Sequence, residues 1–217
     1  SFYSIYNDKD NKKVHVLIAR TNVKSYDYGS VPSEYDYTKL GQTWSSPRIT
    51  RIPNSGAGDT VIDDDLNVAI MGGGYDDTDE ATGSNLTIVN LDNLGKINKV
   101  IPLNNIRNNN ITNSAPNTPL VLTPDSVGDG EIYRGALVYL NDLEGKITKF
   151  NLTNMEKDGN GNSIEMYDST QIFSVDANDK NLRYMYHGMD ATIGDKTNNL
   201  WLFTGTCLLY TSDAADE

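Results

Sequence analysis

Cysteine is almost missing from this sequence: Cys207 is the only one. A single thiol can form neither an internal disulfide nor a cysteine-built metal site, so neither staples the fold. Histidine is nearly as scarce. His15 and His187 are the only two, and a lone histidine of this kind reads as structural; no Ser-His-Asp arrangement follows from their spacing. Basic charge is in deficit: 18 Lys and Arg face 30 Asp and Glu, a net charge of −12. Such a chain repels phosphate backbones, which argues against nucleic-acid binding. Long apolar runs are absent too. None approaches the ~20 residues of a membrane-spanning helix, and Ser1-Phe2-Tyr3-Ser4 is not a signal-peptide start. No segment carries a helical period.

What is present is a polar, turn-rich sequence. Asn, Asp, Gly and Thr are abundant, 37% of residues are hydrophobic and 22% are charged. That balance favours strands and turns over helices. Leu86-Thr-Ile-Val-Asn-Leu-Asp-Asn-Leu-Gly-Lys-Ile97 alternates apolar residues and then passes through Asp-x-x-Gly-Lys. Leu137-Val-Tyr-Leu-Asn-Asp-Leu-Glu-Gly-Lys-Ile147 repeats that order, with Gly95 and Gly145 lying 50 residues apart. Alternation of period two gives half-buried strands. In each turn the aspartate can accept from backbone N–H groups and the glycine can take a positive φ, while the lysine is expected on the exposed side of the next strand.

A second element recurs. Asn67-Val-Ala-Ile-Met-Gly-Gly-Gly-Tyr75 and Asn199-Leu-Trp-Leu-Phe-Thr-Gly-Thr206 are apolar strands that end in glycine. Glycine there lets backbones approach closely. A phosphate-loop reading of Gly72-Gly73-Gly74 is weak, because no Gly-Lys-Ser/Thr follows and Asp76, Asp77, Asp79 and Glu80 would repel the ligand.

A hairpin cannot bury its apolar face alone, so units of this kind must stack. A period near 50 residues predicts four-stranded antiparallel blades of an all-β, quinoprotein-like β-propeller, with about three to four blades present. The expected units are 12–43, 44–103, 115–155 and 170–206, with Val14–Ala19 the best strand of the first. The Asn- and Thr-rich stretches 104–117 and 154–162 read as loops between strands. Asp63-Asp64-Asp65 and residues 76–80 read as solvated loops.

In order, Trp44-Ser-Ser-Pro-Arg-Ile49, Val68-Ala-Ile-Met-Gly-Gly-Gly-Tyr-Asp76 and Leu86-Thr-Ile-Val-Asn-Leu-Asp92 with Gly95 resemble the C-terminal propeller of the PilC/PilY proteins of type IV pili. Pro119, Asp129-Gly130 and the run from Tyr139 through Asp142, Gly145-Lys146-Ile147 and Phe150-Asn151-Leu152 extend the resemblance. Leu202-Phe203-Thr204-Gly205-Thr206 closes it. The resemblance spans about residues 44–206 and implies a modified seven-bladed propeller within a large secreted, non-enzymatic protein. Its implied roles are pilus biogenesis, control of retraction, and adhesion at the pilus tip. Its implied partners are pilus subunits or minor pilins and host or surface ligands, at the cell surface, outer membrane or periplasm. Thr148 replaces the family's hairpin tryptophan, and Asn141 the glycine before Asp142.

Calcium is the one candidate cofactor. The family often carries an Asp-x-Asp-x-Asp-Gly-x-x-Asp loop, and Asp125 and Asp129-Gly130 match its first, fifth and sixth positions. Val127 and Tyr133 replace its third and last ligands. Calcium takes roughly six to eight oxygens, more than this loop supplies. Independently, Asp158-Gly-Asn160-Gly-Asn162 places oxygens at alternate positions, but Ser163 stands where such loops need glycine and Ser169 where they need glutamate. A hairpin tip is the simpler reading. Asp176-x-Asn178-Asp179 is a weaker match again.

Two other functions compete. A pyrroloquinoline-quinone-dependent dehydrogenase also uses Asp-x-x-x-Gly-Lys turns, but its blades carry docking tryptophans and this chain has only Trp44 and Trp201. A carbohydrate-binding or hydrolytic propeller would need carboxylates clustered in a central channel. Finally, Cys207-Leu-Leu-Tyr-Thr-Ser-Asp-Ala-Ala-Asp-Glu217 resembles translated sequencing adapter, all eleven residues fitting one reading frame. On that reading 1–206 is a partial propeller cut from a longer gene, 207–217 is a non-native tail, and the native part has no cysteine.

Overall fold

Where apolar and polar residues alternate, as at 66–72, 85–90 and 137–141, the chain folds into strands. A computed structural model describes residues 33–54, 61, 63–76, 82–104, 113–123, 134–154, 159–175, 184–194, 196 and 199–206 in full. It describes the backbone alone for 2–8, 13–20, 25–26, 29–30, 183 and 207–208. The strands are β1 (Phe2–Asp8), β2 (Lys13–Arg20), β3 (Ser25–Tyr26), β4 (Gly29–Ser30), β5 (Arg48–Ile52), β6 (Leu66–Gly72), β7 (Asn85–Asn90) and β8 (Lys96–Pro102). They continue as β9 (Leu120–Leu122), β10 (Leu137–Asn141), β11 (Lys146–Asn151), β12 (Ser169–Ser174), β13 (Arg183–Tyr184), β14 (Asp190–Ile193), β15 (Leu200–Phe203) and β16 (Cys207–Leu208). The only helical turn among the described residues is a 3-10 turn at Ser33–Tyr35. The chain is all-β and antiparallel, as its composition predicts.

Among the described residues two sheets are four-stranded meanders, β5-β6-β7-β8 and β9-β10-β11-β12, and four smaller sheets pair β1 with β2, β3 with β4, β13 with β16, and β14 with β15. The first strands of three successive units begin at Arg48, Leu120 and Asp190, 72 and 70 residues apart. Period-two alternation buries both faces of the meanders. Val68 and Ile70 of β6 and Leu86 and Ile88 of β7 meet Val138 and Leu140 of β10 and Phe150 of β11 in the largest core. The opposite face of the first sheet, with Ala69, Met71 and Val89, packs on Tyr37 and Leu40. The opposite face of the second, with Tyr139 and Ile147, packs on Met185 and Leu202. Each fully buried aliphatic or aromatic side chain here contributes roughly 1.5–3 kcal/mol. The sheets therefore form a serial stack in which each unit covers the next.

The lead-in to each unit crosses the ends of the second strands. Gln42 and Tyr75 exchange backbone hydrogen bonds of 2.7 Å each, and Ala115 bridges Gly74. Leu143 N–H donates to the Ser114 carbonyl at 2.9 Å. Asn117 Nδ2 donates to the Met185 carbonyl at 2.9 Å, and Asn141 Nδ2 to that of His187 at 2.8 Å. A side chain on Gly72 would enter the Ala115 and Asn117 carbonyl oxygens, so the glycine-ended strand does permit a close backbone approach.

Several expectations need correction. The unit boundaries differ: β12 pairs with β11, so the second unit runs on to Ser174 instead of stopping at 155, and the first hairpin begins at Phe2, before residue 12. The polar stretch between β11 and β12 resembles a boundary, but strand pairing crosses it. The two Asp-x-x-Gly-Lys turns are not equivalent either. The Asp92–Lys96 turn joins the third and fourth strands of its sheet, whereas Asp142–Lys146 joins the second and third. Their 50-residue spacing is therefore not the unit period. Residues 113–117 are buried and stitched to the first sheet, not a free loop. Cys207–Leu208 pairs with Arg183–Tyr184; residues 209–217 lie outside the described residues.

Candidate functional site

The turn at 142–146 closes a two-strand register in which Asn141 faces Ile147. Gly145 takes φ of 80°, as a left-handed turn position requires. Asp142 Oδ1 accepts from Lys146 N–H at 3.0 Å, so the aspartate performs the backbone role expected of it. The turn is then clamped on both sides, by Leu143 N–H on the Ser114 carbonyl and by Val175 N–H on the Gly145 carbonyl, each 2.9 Å.

The lysine overturns its expectation. Lys146 lies on the inside: its side chain has 0% exposure. Its Nζ sits 2.7 Å from Asp142 Oδ2 and donates a short hydrogen bond to Glu144 Oε2. Asp142 and Glu144 are equally buried. Two carboxyls thus share one amine away from water. Desolvation pushes the Asp142 carboxyl up to about 6, against the opposing pull of the Lys146 charge and its hydrogen bonds. Sequence reasoning found Asp142 and Gly145 but missed Glu144 and Lys146 as buried partners. The available signal was the alternation itself: residues 142, 144 and 146 are each two apart.

The corresponding lysine of the other turn, Lys96, is only half-buried. There the Asp92 carboxylate accepts from the backbone N–H and side-chain Nδ2 of Asn67 at 2.7 and 3.0 Å, and Asn90 Oδ1 accepts from Asn93 N–H. Both turns enclose five residues between their closing pairs, Asn90 with Lys96 and Asn141 with Ile147, but the pairs fall one place apart relative to the motif. The first turn takes Leu94 at φ 50° and Gly95 at φ 78°.

A third buried carboxylate lies in the stretch read as solvated. Asp63 and Asp64 are exposed, but Asp65 has 0% side-chain exposure. Arg51 Nε lies 3.1 Å from its Oδ2, and Arg134 Nη2 bonds its Oδ1. Arg134 also donates to the Val61 carbonyl at 3.0 Å, tying the first sheet to the approach to β10. Tyr167, at φ 71°, accepts from Asn98 Nδ2 at 2.8 Å, and burial raises its phenol above the usual value.

An apolar groove of about 540 Å³ runs between the second sheet and the β14–β15 pair, lined by Ile172, Phe173, Met185, Leu202, Phe203 and Thr204 among others. Phe203 in its lining and Trp201 on the same strand are each more than half exposed. Of the calcium candidates, Asp125, Asp129 and Asp158 lie outside the described residues, as do Asp176, Asn178 and Asp179. Asn160 and Asn162 sit on an exposed turn with Gly161 at φ 86°. Among the described residues no three of His, Cys, Asp and Glu converge as metal ligands. His187 is exposed beside the Asn141 contact, and His15 lies on β2.

No helix among the described residues is long and apolar enough to cross a membrane. No protein-family model matches the chain, and no curated protein or solved structure shows significant similarity to it.

Proposed function

We propose that this chain is a β-propeller segment of a pilus-associated surface protein of PilC/PilY type, serving type IV pilus assembly, retraction control and adhesion. The observation that carries the reading is the order of the units. Trp44–Ile49 leads into the first strand of the first meander, and Gly72-Gly73-Gly74-Tyr75 ends its second strand. Tyr139–Leu152 supplies the second and third strands of the next, and Phe203–Thr206 ends β15 of the two-stranded β14–β15 pair. The glycine-ended segments 72–75 and 203–206 each follow the second strand of their unit, which supports the reading, whereas the Asp-x-x-Gly-Lys turns stand at different strand connections.

A non-enzymatic role fits the burial of the charged groups. Asp142, Glu144 and Lys146 have no exposure, so an external substrate does not reach them. Pilins and minor pilins are the partners this reading names, at the cell surface or pilus tip. Immobilised chain is expected to capture purified type IV pilins or minor pilins from solution. Alcohol-dependent dye reduction after adding pyrroloquinoline quinone and calcium would replace this reading with a quinoprotein dehydrogenase. Saccharide binding without pilin binding would replace it with a carbohydrate-binding propeller.

A further inference from the structure

The 142–146 turn holds an amine, a carboxyl carbon and a second carboxylate together in a dry site. Lys146 Nζ is 2.7 Å from Asp142 Oδ2, and Glu144 Oε2 touches the same nitrogen. Asp142 Oδ1 is held by the Lys146 backbone N–H at 3.0 Å, a fixed donor on the oxygen where charge would develop. Backbone bonds from Asp142 N–H to the Lys146 carbonyl, and from Gly145 N–H to the Asp142 carbonyl, both 3.1 Å, fix the ends against each other. A buried trio of two carboxyls and one amine is costly as ions. Reaction between groups held this way gains the large advantage of an intramolecular step.

We propose that Lys146 and Asp142 condense into an intramolecular amide, with Glu144 as the proton carrier. Glu144 takes a proton from the Lys146 ammonium and passes it to Asp142 Oδ2. The freed nitrogen lone pair attacks Asp142 Cγ, and the developing charge on Oδ1 meets the Lys146 N–H. Glu144 then takes a second proton from nitrogen and delivers it to Oδ2. The Cγ–Oδ2 bond breaks and its electron pair leaves with water. One ammonium and one carboxylate thus become one amide and one water. Nothing is oxidised or reduced, and Glu144 returns to its starting form. The preference of the buried Asp142 for its protonated form assists departure of Oδ2 as water. Like Asp142 and Lys146, Glu144 touches the reacting atoms, so it is a catalytic residue of this self-directed step. The proposal goes beyond the pilus reading and stands or falls separately from it.

Intact-mass measurement of the purified, folded full chain tests it. The expected mass is lower than the sequence mass by one water, and the deficit persists in denaturant. Trypsin should not cut after Lys146, and fragmentation should place the loss between Asp142 and Lys146. Glu144→Gln, which keeps shape and removes the proton carrier, should restore the full mass. A folded wild-type chain of full sequence mass overturns the proposal. So does a water loss that fragmentation places elsewhere, such as a cyclised Asp-Gly step. Fragmentation of the wild type decides the matter even where Glu144→Gln fails to fold.

Discussion

The Tyr37 hydroxyl donates a buried 2.6 Å hydrogen bond to the Gly95 carbonyl, 58 residues away. It joins the lead-in of the first unit to the turn that closes the third and fourth strands of the same sheet. A tyrosine with its polar tip in water would not do this. Tyr37→Phe keeps the ring in its apolar cluster but leaves a buried carbonyl without its donor. The expected cost is about 1–2 kcal/mol, read as a lower urea midpoint at unchanged slope.

Asp142 makes an unusual contribution to pH dependence. Its carboxyl is raised from 3.8 to about 6 in the folded chain, so the folded state holds the proton more tightly than the unfolded state. The resulting stabilisation is fully present below about pH 4 and is lost as pH rises through about 6, by on the order of 3 kcal/mol. In chain of full sequence mass, whose Asp142 carboxyl is free, denaturation from about pH 4 to about 7.5 compared with Asp142→Asn reads this dependence. Molecules already lighter by one water have no free Asp142 carboxyl and should lack the dependence.

Asp65 binds two arginines from different parts of the chain. Asp65→Ala should cost about 2 kcal/mol, less than a fully buried ion pair would, because Arg51 and Arg134 retain 29% and 13% exposure. Asp63→Ala, at an exposed position two residues earlier, should change the denaturation midpoint little. Equal effects at the two positions would contradict the buried placement of Asp65.

Gly72→Ala tests the contact between units. The added methyl would meet two backbone carbonyls, those of Ala115 and Asn117, which cannot swing aside as a side chain can. A loss of at least about 3 kcal/mol is expected. Gly159→Ala, where an added Cβ has open space, is the control and should be nearly neutral in a melting experiment.

Much of the local structure was legible in the sequence. The strands Leu66–Gly72, Asn85–Asn90, Leu137–Asn141 and Leu200–Phe203 follow from alternating apolar residues. The turn glycines Gly95 and Gly145 adopt the positive φ expected of them. The role of Asp142 as a backbone acceptor was legible as well. These features depend on residues near one another in the chain, where sterics and turn chemistry act directly.

What the sequence did not reveal was which strand partners which. Asp92 and Asp142 occur in nearly the same local motif, yet one turn follows a third strand and the other a second. That difference arises from pairings with β5 and β9, far away in sequence. Lys146 and Asp65 were read outward because charge favours water. Only the stack of sheets, with 113–117 on one side of the turn and Val175 on the other, removes water from Lys146 and leaves its two carboxyls as its company. The alternation of apolar residues and turn glycines determined by itself that the chain is made of antiparallel strands. Tertiary packing decided that the Asp-x-x-Gly-Lys turn at Asp142 would be a sealed cluster of charges, because burial depends on neighbours that no local pattern specifies.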